Sequence, residues 1–339
     1  MRVGVIGAGA WGTAFANYLC ELGNEVILWI REKELFEILG SRRENTYFLP
    51  GIKLSEKLSF CLDLETACEG RELIVFAIPV QAMRGVLENT VIDGEPILMN
   101  LSKGIEEKSL LFPSELIGSF FPSLEVVVLS GPSFAVEFAN KHPTLLVAAS
   151  HNEDVARYIR DSLSSSYLRI YSSSDVVGVE LGGAVKNVIA IGSGMIDSLG
   201  LGENARAALI TRGLVEIVRL GVAVGARLET LFGLAGVGDL VLTCTSSKSR
   251  NYRLGRFIGM KLSLDEALSK INGVPEGLWT VNAVVELAKN FNVEMPICQE
   301  IYLILNKGKS PEDSLKALME REPKQEWRII TQILLRENL

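Results

Sequence analysis

The 339-residue chain predicts an α/β doubly wound sheet followed by an all-α C-terminal domain. Three observations carry this. Short apolar runs alternate with amphipathic segments through the first half, the pattern of βαβ units in a parallel sheet. A glycine-rich turn, Gly7-Ala8-Gly9-Ala10-Trp11-Gly12, follows the first of those runs. Beyond about residue 175 the β-type runs largely stop and long helical patterns replace them.

Strands are expected at residues 2–6, 25–29, 58–61, 73–78, 96–100 and 125–129, with two more at 144–149 and 168–172. Leu73-Ile74-Val75-Phe76-Ala77-Ile78 shows why: a continuous apolar run of this length fits a parallel strand covered on both faces. Helical patterns lie between several of them, as at 13–22 and 81–89. In the second half helices are expected at 176–198, 204–224, 239–244, 250–259, 264–270, 277–290, 297–306 and 311–319. Ser263 before Leu264-Asp265-Glu266, and Ser310 before Pro311-Glu312, are helix starts. The chain divides near residue 175, into 1–175 for a dinucleotide and 176–339 for substrate and catalysis. Residues 321–339 mix charged and apolar side chains and receive no role.

The composition narrows the class of function. A net charge of −7 gives no global attraction to nucleic acid or an anionic membrane, so a phosphorylated ligand must be held by local basic groups. Cys20, Cys61, Cys68, Cys244 and Cys298 form no CxxC pair, which points to a reducing compartment. His142 and His151 lie in no metal motif, and no metal is expected. The first strand begins at residue 2 with no signal-peptide pattern, and no uncharged apolar run reaches about 18 residues. A cytoplasmic protein without a membrane span is expected.

The Gly7–Gly12 turn stands between a strand and a helix, the context a Rossmann-type dinucleotide site requires. Its glycines permit a tight turn and bring the backbone close to a pyrophosphate at the helix N-terminus. The other reading is a glycine-rich turn without a ligand. At the end of the second strand, Ile30 occupies the place where an acid would bind the ribose hydroxyls, Arg31 is available to a 2′-phosphate, and Glu32 comes one position late. This favours NADPH, with NADH also accepted, unless Arg31 is only a surface residue.

Ligands of such sheets lie beyond the carboxyl ends of the strands. Pro79, Ser102-Lys103-Gly104 and Gly131-Pro132-Ser133-Phe134-Ala135 fall there. Lys103 reads either as a cation aimed at a carbonyl or phosphate, or as an exposed loop lysine. In the helical half, Lys186 is the only charged residue of the 181–196 run. Burial would lower its pKa towards the range of proton exchange near neutrality; the alternative is a lysine snorkelling at the edge of a core helix. Gly183, Lys186, Asn187 and Ala190 share a helix face, with the two small residues leaving space and Asn187 offering a neutral partner. Asp239, after Gly233, Gly236 and Gly238, reads either as an N-cap or as a carboxylate partner of Lys186, with Thr243 on the same face. Ser249-Arg250-Asn251 supplies a hydroxyl, a guanidinium and an amide suited to a phosphate.

Over nearly the whole length, from Val5-Ile6-Gly7-Ala8-Gly9 to Glu294-Met295-Pro296-Ile297, the sequence resembles the bacterial NAD(P)-dependent sn-glycerol-3-phosphate dehydrogenases. Gly131–Ala135, Leu181–Gly194, Asn204–Gly213 and Gly238–Thr245 carry the resemblance most specifically. It implies reversible reduction of dihydroxyacetone phosphate, a homodimer, and a supply of glycerol phosphate for phospholipid synthesis. It implies that Gly7, Gly9, Ala10, Trp11, Gly12, Arg31, Lys103, Ala135, Arg250, Val274 and Glu276 face the cofactor. It likewise implies that Lys103, Gly131, Ser133, Lys186, Asp239, Ser249, Arg250 and Asn251 hold the substrate. Lys186 would transfer the proton, Lys103 would add electrostatic stabilisation, and Asp239 would tune Lys186. Ser102 departs from the Thr common before the lysine, and Arg31 occupies a variable position. Two rival readings remain: a related lysine-dependent β-hydroxy-acid dehydrogenase, and a non-catalytic dinucleotide sensor.

Overall fold

A computed structural model describes residues 1–323, so the end of the helical half and most of the 321–339 segment lie outside the described residues. Eight strands form one sheet: β1 Arg2–Ile6, β2 Glu25–Trp29, β3 Ser59–Cys61, β4 Leu73–Phe76, β5 Ile97–Asn100, β6 Val126–Ser130, β7 Thr144–Ala149 and β8 Leu168–Ser173. All eight overlap the expected strands. The intervening helices are α1 Ala10–Glu21, α2 Lys33–Arg42, α3 Leu64–Cys68, α4 Val80–Leu87, α5 Pro113–Phe120, α6 Ala135–Ala139 and α7 Glu153–Leu163. The helical half holds α8 Val176–Ser198, α9 Gly202–Ala223, α10 Leu228–Leu231, a π turn Leu234–Gly238, α11 Asp239–Cys244, α12 Arg250–Gly259, α13 Leu264–Ser269, α14 Gly277–Asn290, α15 Pro296–Lys307 and α16 Pro311–Met319.

The strand order is β3-β2-β1-β4-β5-β6-β7-β8. The first six strands follow the doubly wound order, which reverses between β1 and β4 and leaves a crevice beyond their carboxyl ends. β4 is buried along its length, as its unbroken apolar run requires. The sheet departs from the expected parallel arrangement at one place: β7 runs antiparallel to β6. The only helix in that connection, α6, has five residues and rises about 7.5 Å. A strand spans about 17–20 Å, so α6 does not carry the chain back along β6, and the next strand returns in the opposite direction. β8 then pairs parallel to β7 after the longer α7.

A separate core fills the helical half around α8, which packs against α9, α11, α12 and α14. Residues 176–198 are long and apolar enough to cross a membrane by length and composition, but 94% of the most apolar window is buried within the fold. A helix apolar on all sides is a core helix when others surround it. α8 also touches the sheet at β6, which brings its polar residues to the carboxyl ends of the strands.

Candidate active site

The turn after β1 divides its three glycines by task. Gly7 has φ +115°, and a side chain there would meet the Ala77 carbonyl oxygen at 2.6 Å. Gly12, already inside α1, lies against the Gly7 carbonyl oxygen; α1 begins at Ala10, three residues before the expected helical pattern at 13–22. Gly9 faces open space: a methyl group added there would meet no atom within 4 Å. No acidic residue occupies the first turn of α1 and no side chain caps it, so its N–H groups remain available to an anion. A tight turn, an open approach and a close helix contact are what a pyrophosphate needs here. The loop is braced from beneath by Asn45, fully buried, whose Nδ2 donates to the Ala8 carbonyl at 2.8 Å and to Thr13 Oγ1 at 2.8 Å. Trp11 packs edge-on against Phe138 of α6, the helix that Ala135 begins. Arg31 lies just past the end of β2 with its side chain 72% exposed and, among the described residues, paired only with Glu32.

The two lysines converge on one carboxylate. Lys186 Nζ donates to Asp239 Oδ1 at 2.5 Å and to Thr243 Oγ1 at 2.8 Å. Lys103 Nζ donates to Asp239 Oδ2 at 2.5 Å and to the Gly131 carbonyl at 2.8 Å. Asp239 is the first residue of α11 and does not cap it; the N-cap position belongs to Gly238. Of its two readings from sequence, the carboxylate partner of Lys186 is the one in the structure. Asn187 is not a partner of the amine: its Oδ1 accepts from Asn251 Nδ2 at 2.9 Å, and Asn251 Oδ1 accepts from the Gly277 N–H. Nor does Lys186 snorkel, since its side chain is 8% exposed.

Two ammoniums around one carboxylate leave an excess positive charge in a buried place, the setting for an oxyanion or a phosphate. Burial pushes the Lys186 ammonium down to about 8, against the opposing pull of Asp239 and with the help of Lys103. Burial alone would raise Asp239, but the Lys103 and Lys186 ammoniums outweigh it and hold the carboxyl below its ordinary range. Gly183 makes room for the second lysine: a side chain there would meet Ser130 Oγ at 3.1 Å and the Lys103 stem at 3.5 Å.

The remaining expected residues surround this cluster less uniformly. Ser133 Oγ donates to the Gly131 carbonyl at 2.9 Å, the same oxygen that Lys103 uses. Ser249 is buried and caps α12 by accepting from the Tyr252 N–H. Arg250 makes no hydrogen bond or ion pair among the described residues, and Gly273, at φ +84°, leaves space beside its guanidinium. Glu276 faces it. Burial raises that carboxyl to about 7, opposed by Arg250 and by the Val80 N–H at the start of α4, and its Oε2 has no hydrogen-bond partner. Val274 lies on the same loop and is half-buried. An unpaired guanidinium beside an incompletely satisfied carboxylate is a pair with capacity left for a ligand.

Three polar residues of this region escaped the sequence reading. Asn45 gave no signal, because its role depends on a contact 37 residues away. Asn100 stands at the end of β5, where an apolar residue would have continued the run. Glu180 lies one residue before the 181–196 run and is as buried as Lys186.

Two family models match. The N-terminal model of NAD-dependent glycerol-3-phosphate dehydrogenase covers residues 2–156, and the C-terminal model covers 175–316. A glycerol-3-phosphate dehydrogenase [NAD(P)+] of Citrifermentans bemidjiense is 47% identical over 330 residues, 96% of this chain and 98% of the relative. One from Thermoanaerobacter is 46% identical over 96% of this chain and 99% of its own. The crystal structure of glycerol-3-phosphate dehydrogenase from Coxiella burnetii superposes with a TM-score of 0.91 at 37% identity, covering 94% of this chain and 99% of that one.

Proposed function

Because the chain belongs to the NAD-dependent glycerol-3-phosphate dehydrogenase family, we propose that it reduces dihydroxyacetone phosphate reversibly to sn-glycerol 3-phosphate with NADPH or NADH, and that Lys186 handles the proton. The single observation that supports this most is the buried Lys186–Asp239–Lys103 cluster at the mouth of a dinucleotide crevice.

The turn from Gly7 to Gly12 fits the pyrophosphate of a nicotinamide dinucleotide, with Trp11, Ala135, Arg250, Val274 and Glu276 along the crevice and Arg31 at the adenosine end. When bound, that cofactor supplies the hydride that reduces the substrate carbonyl carbon. The carbonyl oxygen then carries the electron pair of the broken π bond and takes a proton from Lys186 Nζ. Asp239 and Thr243 hold that amine in place before and after the transfer. A group with a pKa of about 8 is largely protonated at pH 7 and loses its proton readily, which suits a donor in one direction and an acceptor in the other. Lys103 stabilises the developing negative charge and, with Ser133, Ser249, Arg250, Asn251 and the Gly131 backbone, holds the substrate.

In this reading residues 1–175 form the dinucleotide-binding domain and 176–339 the helical substrate and catalytic domain, with Lys103, Gly131 and Ser133 of the first also meeting the substrate and Arg250, Val274 and Glu276 of the second also meeting the cofactor; the gap between the two matched models and the end of the last strand at Ser173 support that division. A cytoplasmic location, a homodimer and a role in supplying glycerol phosphate for phospholipid synthesis belong to the same proposal. Sedimentation of the purified protein tests the dimer. The activity itself is tested by the initial rate of NADPH and NADH oxidation with dihydroxyacetone phosphate. Saturable oxidation is expected; cofactor binding without oxidation, or turnover of a phosphate-free hydroxy acid instead, would replace this reading by one of its rivals.

A further inference from the structure

Glu180 is 4% exposed and has no cationic partner among the described residues. Its Oε1 accepts from Asn100 Nδ2 at 3.1 Å and from the Ser114 N–H at 3.0 Å, and its Oε2 accepts from the Ser114 hydroxyl. Asn100 in turn grips the loop that follows β5. Its Oδ1 accepts from the Ser102 N–H at 2.8 Å, and its Nδ2 also donates to the Ser102 carbonyl at 3.0 Å. The next residue is Lys103. Glu180, Gly183 and Lys186 recur every third residue, which puts them along one side of α8. That side therefore meets Lys103 twice: at the base of its loop through Glu180 and Asn100, and along its stem at Gly183. It carries the other lysine one turn further on.

A buried carboxyl without a counter-charge is unfavourable, and an apolar side chain of similar volume would serve stability as well or better. What a fully bonded buried network adds is a fixed geometry. We propose that Glu180 is a positioning residue for Lys103: acting through Asn100, it fixes the Ser102–Lys103 loop to α8, so that Lys103 from its loop and Lys186 from the helix are held in one frame around Asp239. This rests on the reading of Lys103 as a substrate-holding group.

Burial pushes the Glu180 carboxyl up to about 8 against its bonds from Ser114, and Glu180→Gln reproduces the protonated side chain. The glutamine carbonyl accepts from Asn100 and the Ser114 N–H, and its amide donates to the Ser114 hydroxyl. Glu180→Leu and Asn100→Ala both break the connection. The experiment measures kcat and KM for dihydroxyacetone phosphate and for NADPH in these three variants, in the double variant Glu180→Leu/Asn100→Ala, and in Lys103→Met. We expect Glu180→Leu and Asn100→Ala each to raise KM for dihydroxyacetone phosphate about tenfold or more with KM for NADPH within twofold. Glu180→Gln stays within about threefold of wild type, and the double variant is no worse than its poorer parent, as links of one chain require. If Glu180→Leu does not fold, Asn100→Ala decides the matter, because it leaves Glu180 bonded to Ser114. A raised KM in Lys103→Met with an unchanged KM in Asn100→Ala overturns the positioning role alone. Multiplying losses in the double variant overturn it too. An unchanged KM in Lys103→Met overturns the reading of Lys103, and the proposal with it.

Discussion

Asp239→Asn isolates the charge that holds the lysine cluster together. The substitution keeps the shape and one acceptor but removes the negative charge that bridges Lys103 and Lys186. Opposite charges about 4 Å apart interact by about 4 kcal/mol at an effective dielectric of about 20. The amide dipole retains part of this, so a net loss of about 3 kcal/mol, roughly two pKa units, falls on Lys186. Its pKa then moves from about 8 to roughly 6. For a lysine the protonated, donating form exists below the pKa. At pH 7 that form drops from about nine-tenths of the molecules to about one-tenth. The assay is kcat for dihydroxyacetone phosphate reduction between pH 5 and 9.5, with the reverse oxidation beside it. In the wild type, reduction should fall as pH rises through about 8 and oxidation should rise through the same value. In Asp239→Asn both midpoints should shift about two units to acid, with kcat for reduction down about tenfold at pH 7 and recovering below pH 6. A loss that is uniform across pH, or an unmoved midpoint, would refute the reasoning that Asp239 tunes Lys186.

The glycine turn gives a contrasting pair. Gly9→Ala enters open space and should leave Tm unchanged while raising cofactor KM about tenfold or more. Gly12→Ala pushes into the Gly7 carbonyl and should lose about 1–3 kcal/mol of stability, read as a Tm several degrees lower. The opposite pattern would mean that the turn does not face the dinucleotide. At the end of β2, Arg31→Ala should raise KM for NADPH about tenfold and leave NADH within about twofold, the value of a lost charge-assisted contact. Equal losses for the two cofactors would remove the 2′-phosphate from the account.

The fold was legible wherever pattern and burial agree. β4 is an unbroken apolar run, β8 alternates buried and exposed residues over Leu168–Tyr171, and α8 follows from a long apolar stretch flanked by Asp175, which caps it through the Gly178 N–H. The direction of β7 was not legible, because it depends on the length of α6, a five-residue helix with too few turns to show periodicity. Lys186 was conspicuous as a charge in an apolar run, and Asp239 as an acid after a glycine cluster. Their bond, across 53 positions, could be named only as one of two alternatives. The role given to Asn187 illustrates the limit. Neighbours on a helix face point in nearly one direction, yet a side chain bonds whatever the adjoining helix presents, here Asn251. Glu180 was overlooked because it lies one residue outside the 181–196 run, at the end of Val176-Val177-Gly178-Val179, and its polar partners come from α5 and β5, not from its own segment.

The most direct test of the account is turnover of Lys186→Met, measured with saturating NADPH and dihydroxyacetone phosphate alongside the affinity for NADPH alone. Methionine fills the space of the lysine stem without an exchangeable proton. The account predicts a kcat lower by about 10²–10⁴-fold with the NADPH Kd within about threefold of wild type. Near-normal turnover in that variant would contradict it, and would move the proton donor elsewhere in the crevice.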